Sequence, residues 1–209
     1  MGFSSLLDIL GSTIIGGLLL MILMRMNATS VQNNYFYSGE QIVQQNIVEV
    51  VKLLEYDFRK IGYCSVWSNI PDPAKAIIQA DSSSITFLTD IVTSANPYGD
   101  GVVDTLKYYL SSKSVLSSTP NPNDMILYRR INHDAVAGSN LGVTRFNLTY
   151  FNANGAKIIT MPASLPLGIA SVQIDISVEN PAAYGNDYST DKRMMWRQLR
   201  LATRNFLLR

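Results

Sequence analysis

Two residue types that build reactive sites are almost missing from this chain. Its 209 residues include one cysteine, Cys64, and one histidine, His133. A lone cysteine excludes an intrachain disulfide, and with a lone histidine it leaves no His/Cys metal set and no Cys–His pair. Cys64 is expected to be a small apolar residue just past a helix, with a reactive or intermolecular thiol as the alternative. Charge of one sign is also scarce: 17 basic and 16 acidic residues give a formal charge of +1. That balance excludes a broad basic face for nucleic acid. No run of like charge marks a tail or a polybasic membrane patch. No serine stands in a nucleophile elbow, and no glycine loop matches a phosphate-binding pattern. These absences argue against an enzyme and against a bound cofactor.

Apolar residues, 47% of the chain, are ordinary in number and uneven in place. The length fits one domain with an appendage, or two small domains. Phe3–Met24 reads FSSLLDILGSTIIGGLLLMILM, with Asp8 as its only charge. As a helix it would extend about 33 Å, enough to cross a bilayer core. A secretory signal peptide is the rival. Only Met1 and Gly2 precede the apolar run, and Arg25, Met26 and Asn27 follow it without a small-residue cleavage site, so a retained membrane helix is expected. Asp8 is costly at the centre of a membrane and cheaper near an end. It is either a tolerated interfacial acid or a carboxylate that meets a positive partner in an assembly. Gly11, Gly16 and Gly17 would let neighbouring helices approach closely, or would merely soften the helix. Arg25 alone does not fix topology by the positive-inside rule.

A helical period continues beyond the apolar run. Val43, Ile47, Val50, Leu54, Phe58 and Ile61 recur at spacings of three and four, the pattern of an amphipathic helix packed on a sheet or on other helices. Gln44, Gln45, Glu49, Lys52, Glu55 and Arg59 suit the wet face, and Glu55–Asp57 with Arg59–Lys60 reads as solvated, with a partner-binding patch as the alternative. Gly62 is the expected stop. Asn33–Gly39 is polar enough for a break; without one, Phe3–Ile61 would be a helix of nearly 90 Å.

After Gly62 the period changes to two. Strands are expected at Ile85–Leu88, Leu106–Leu110, Met125–Ile131, Val143–Phe151, Lys157–Met161, Ile169–Val178 and Met195–Ala202. In Val172–Val178 every second residue is apolar, which predicts a half-buried strand. Asn152–Gly155 predicts a hairpin turn. The order, one long helix and then mainly antiparallel strands, predicts an α+β fold. Three parts follow: residues 1–26 as an apolar membrane or filament-core helix, 27–62 as its amphipathic continuation on the head, and 63–209 as a β-rich globular head. Asp90, Asp100 and Asp104 form an oxygen-rich cluster that suits calcium or is a simple turn between strands.

Several of these segments, taken in order, resemble the PilW-type minor pilins of type IV pili and the related J-type pseudopilins of type II secretion. Gly2-Phe3 before an apolar helix is similar to a prepilin start, where a peptidase cuts after the glycine. Leu54–Tyr63 is similar to the family's acidic-basic helix end. Ile85–Asp90, Gly99–Asp104 and Tyr108–Leu110 follow the family's order of strand, Gly-Asp loop and strand. Leu127–Arg130 and Gly142–Tyr150 continue it, and Trp196–Asn205 looks like the family's final strand. In that family a glutamate at the fifth mature position pairs with a neighbour's N-terminal amine. Counted from Phe3, position five here is Leu7, and the acid, Asp8, is the sixth.

The resemblance implies a lollipop-shaped, pilin-like structural subunit of a type IV pilus-like or type II secretion-like filament, minor or main. It would assemble through its apolar helix with copies of itself or with other pilin-like subunits. Further partners would be membrane lipid before assembly, a prepilin peptidase and an assembly platform. The expected location is the bacterial inner membrane and then a periplasmic or extracellular filament. The rival function is a singly anchored surface adhesin, whose helix only tethers a binding head.

Overall fold

In a computed structural model of the chain, helix α1 spans Gly2–Arg59 and is followed, among the described residues, by seven strands. They are β1 (Ile77–Ala80), β2 (Ser84–Thr89), β3 (Asp104–Leu110), β4 (Leu127–Ile131), β5 (Val143–Phe151), β6 (Ser171–Glu179) and β7 (Met194–Ala202). The structure describes residues 2–93, 95–159, 168–180 and 194–202, with backbone alone for residues 194–198. The expected closing motif at Arg204–Asn205, most of the loop Asn180–Lys192 and the end of the expected strand Lys157–Met161 lie outside the described residues. The chain divides into two units, Met1–Gln41 and Ile42–Arg209. That division falls within α1, between the boundaries at residues 26 and 62 expected from the change of hydrophobic pattern.

In the first unit every described residue is helical, Asn33–Gly39 included. Proline is absent from it, and its leucines, methionines and alanine favour a helix. Two hydroxyls in the apolar run are satisfied within the helix: Ser12 Oγ and Thr13 Oγ1 both donate to the Ile9 carbonyl, at 2.9 and 2.7 Å. Their polarity is thereby turned inward to the backbone.

The second unit places the end of α1 against two antiparallel sheets, ordered β1-β2-β3-β4 and β5-β6-β7. All six residues of the anticipated stripe, Val43, Ile47, Val50, Leu54, Phe58 and Ile61, are buried. They join one apolar cluster with Ile85, Phe87, Leu106 and Tyr108 of the first sheet and with Phe146, Leu148, Ile174 and Ile176 of the second. Phe58 lies edge-on to Phe87, with ring centroids 5.5 Å apart, and tilted to Tyr108 at 5.7 Å. Gly62 takes a φ of +74°, and its amide donates to the Leu88 carbonyl at 2.9 Å. The helix therefore stops where a left-handed residue can turn the chain onto β2.

Six of the seven expected strands are present, and Val143–Phe151 has its expected bounds. Of the expected strand Lys157–Met161, the described residues hold an isolated bridge of Lys157 to Phe151. The anticipated turn at Asn152–Gly155 does form, with the Asn152 amide donating to the Ala156 carbonyl at 3.0 Å. Strand β1 was not expected: Ile77, Ile78 and Ala80 give no alternation, and a bulge between Ile77 and Gln79 breaks its register with β2. Along β6 the alternation holds from Val172 to Ile176.

Leu54 and Phe58 are both 0% exposed. Phe58→Ala is expected to lower the stability of the β-rich unit by about 3–5 kcal/mol through the cavity it leaves. Chemical denaturation of the full chain in non-ionic detergent measures this; an unchanged midpoint would show that the ring is not part of the core.

Candidate functional site

The apolar segment of α1 is long and apolar enough to cross a membrane by length and composition, and none of it is buried within the structure. Phe3 at its start is 80% exposed, and Leu7, Leu10, Leu18 and Ile22 are each more than half exposed. Gly2 is the first residue of the helix. The residues singled out from the sequence do not form one patch. At about 100° per residue, Gly11 lies one turn beyond Asp8 on the same face, Gly16 lies to one side and Gly17 on the opposite face. A Cβ at Gly11, Gly16 or Gly17 would meet nothing within 4 Å. Among the described residues the three glycines accommodate no neighbour.

The three aspartates expected as a calcium cluster are engaged by hydrogen-bond donors. Asp90 is 0% exposed. Its Oδ2 accepts from the Ser65 amide (3.0 Å), the Ser65 hydroxyl (2.8 Å) and the Gly101 amide (3.0 Å), and its Oδ1 accepts from the Asp100 amide (3.1 Å). Asp100 Oδ1 accepts from the Val102 amide at 2.8 Å. Asp104 accepts from the Ile91 amide at 3.0 Å and from Asn132 Nδ2 at 2.7 Å. Donors aimed at these oxygens occupy the directions a cation would need. Among the described residues no group of three His, Cys, Asp or Glu side chains is gathered as a metal would require. The arrangement is a nest of amides around one carboxylate. Gly99, with a φ of +98°, makes it possible: a Cβ there would lie 2.2 Å from Asp90 Oδ2. Burial alone would raise the Asp90 pKa, but the hydrogen bonds from Ser65, Gly101 and Asp100 outweigh it and hold the pKa below the usual carboxylate value. Cys64 is buried beside this carboxylate, its thiol 3.8 Å from Asp90 Oδ2.

Sequence reasoning missed a second carboxylate. Asp57, expected on a solvated face, is buried. Arg129 of β4 grips it with two bonds, Nε to Oδ2 at 2.6 Å and Nη2 to Oδ1 at 3.3 Å. The Tyr108 hydroxyl donates to the same Oδ2. The spacing contained a signal: Asp57 stands three residues after Leu54 and next to Phe58, so it borders the buried stripe. Burial and the adjacent carboxylate raise the Tyr108 pKa far above its ordinary value. Burial would lower that of Arg129, but Asp57 reverses the effect and leaves it raised. Both groups keep their protons across the accessible range, so this cluster holds elements together and is poorly suited to proton transfer.

Arg129→Met strands the Asp57 charge and is expected to cost about 3–5 kcal/mol, whereas adding Asp57→Leu should recover most of that loss. A double variant as unstable as the single one would show that the pair does more than compensate its own burial. Asp90, with its pKa depressed on folding, binds a proton more readily when unfolded. Its contribution is full above about pH 4 and is lost as pH falls through the lower folded value. Urea midpoints should therefore drop less between pH 4 and pH 2 for Asp90→Asn than for the native chain; equal drops would exclude a depressed Asp90.

Comparison with known proteins gives little by sequence: no protein-family model and no curated protein matches this chain. Among solved structures it is similar to a type IV-like pilin from Thermus thermophilus, 10% identical, over 78% of this chain and 97% of that one, with a TM-score of 0.47.

Proposed function

We propose that this chain is a structural, non-catalytic subunit of a type IV pilus-like or type II secretion-like filament, assembling through residues 3–24. The observation that carries the reading is the apolar surface of α1, which the chain's own fold does not bury. Such a surface needs lipid or other apolar helices around it, and exchanging one for the other costs little because both are apolar. Asp8 is the single charge in that surface. In a bundle of such helices it requires a positive partner, for which a neighbour's N-terminal amine is suited. Helical structure through Asn33–Gly39 favours an ordered subunit over an adhesin on a flexible tether.

The finer reading is a minor pilin or pseudopilin, by the resemblance of its ordered segments. A peptidase would cut between Gly2 and Phe3, and an assembly platform would move the subunit from the inner membrane into a periplasmic or extracellular filament. Its partners would be pilin-like subunits, identical or different. No cofactor is required, and calcium at Asp90 would have to displace the amides already bound there.

The test is the intact mass of the chain in membrane and sheared extracellular fractions, for the native sequence and for Asp8→Ala. Native chains beginning at Phe3 in extracellular filaments support the proposal, and Asp8→Ala should leave the β-rich unit folded while filament yield falls. Chains found solely in membranes overturn the filament reading in favour of a tethered module. Undiminished filaments from Asp8→Ala would remove the pairing role of that carboxylate.

A further inference from the structure

The end of α1 that packs on the sheets keeps a second apolar face, which the core does not cover. Ile42, Leu53 and Tyr56 are 43%, 44% and 49% exposed. At about 100° per residue they lie within about 40° of Glu49 around the helix, and at about 1.5 Å per residue they mark a track about 21 Å long. An open groove of about 390 Å³ adjoins it. Glu49 and Leu53 line the groove from α1, Leu127 and Arg129 from β4, and Ala137 and Leu141 from the connection between β4 and β5. That connection is held in place. Ala137 exchanges two backbone hydrogen bonds with Arg129, at 2.9 and 3.0 Å, and the Leu141 carbonyl accepts from Asn46 Nδ2 at 3.1 Å. Gly138 lets it lie close on β4, because a Cβ there would stand 2.6 Å from Ile126 Cγ2. The groove is therefore built before anything enters it.

Charge decides what fits there. Arg129 is neutralised by Asp57, which takes two of its hydrogen bonds. Glu49 is exposed. The two ion pairs among the described residues, Lys75–Asp72 and Arg129–Asp57, include neither Glu49 nor Lys52 three residues further on. An apolar groove and track edged by one unbalanced carboxylate match an elongated apolar surface that carries one cation. A small molecule would fill the groove and leave the track bare. The chain itself has the matching surface. Arg25 is the only base before Lys52. Leu18, Met21 and Ile22 lie within about 60° of it around the helix, and each is more than half exposed. An apolar helix laid in a groove is a recurrent mode of recognition.

We infer that the groove beside Glu49 receives the apolar helix of a second copy of this chain, with Arg25 of that copy paired to Glu49. The inference rests on the filament reading and adds to it a contact between the apolar helix of one subunit and the β-rich unit of another. The two surfaces are different, so the contact is heterologous: each subunit offers a groove to one neighbour and a helix to the next. Such a contact propagates along a row of subunits, where a self-complementary patch would close a dimer.

Charge reversal in the full chain tests this. Glu49→Lys and Arg25→Glu are each expected to lower filament yield by about tenfold or more, because like charges then meet at the contact. The double variant restores an opposite pair and should recover the native yield. Since Glu49 is exposed, its reversal should leave the unfolding midpoint of the chain in detergent unchanged. Undiminished single variants, or a double variant no better than the singles, overturn the inference. A second measurement needs no filament. Chains with Arg25→Cys and chains with Glu49→Cys, both carrying Cys64→Ala, are co-expressed and treated in membranes with a short bis-maleimide. A crosslink between the two kinds of chain lies between copies by construction. It should form several-fold more than when Gln44→Cys, on the far side of α1, replaces Glu49→Cys; equal yields overturn the inference. A native chain that forms no filaments sinks the filament reading, and the membrane crosslink then decides the contact by itself.

Discussion

The packing of the β-rich unit depends on where the amphipathic end of α1 is held, and a charged pair sealed beside the core fixes that position. Apolar side chains are tolerant of sliding: a stripe of valine, isoleucine and leucine could meet a sheet in several registers at similar energy. Asp57 is not tolerant. Its carboxylate is buried and must meet the Arg129 guanidinium and the Tyr108 hydroxyl together. These two partners face each other across β3 and β4, so one arrangement of helix and sheet satisfies all three groups. Phe58, the next residue along, is then placed between Phe87 and Tyr108.

A second carboxylate performs the same service for loops. Asp90 gathers amides from Ser65, Asp100 and Gly101, joining the turn after α1 to the connection between β2 and β3. An anion surrounded by hydrogen-bond donors orders this junction, and the usual objection to a buried charge is met by four hydrogen bonds.

Periodicity made much of this fold readable in advance. The helical stripe and most strands announce themselves because each has one wet face and one dry face. β1 escaped because it is short, bulged and lacks alternation. Asp57 escaped because a charged residue at the border of a stripe is read as wet unless its partner is known, and Arg129 is 72 residues away. Asp90, Asp100 and Asp104 were recognised as important oxygens, but composition cannot tell a carboxylate that awaits a cation from one already filled by amides. That distinction lies in the φ of Gly99 and in where the Ser65 amide points.

The order in which the chain is made gives the apolar stripe a further consequence. Leu54 and Phe58 share a cluster with Ile174 and Ile176, residues synthesised more than a hundred positions later. At about 5–20 residues per second, that gap corresponds to roughly ten seconds of translation. Until the second sheet exists the stripe has the first sheet alone to cover it, while residues 3–24 stay unburied throughout. Early delivery of residues 3–24 to an apolar phase would separate those surfaces before they could collapse on each other, so that segment would also protect the folding of the strands made after it.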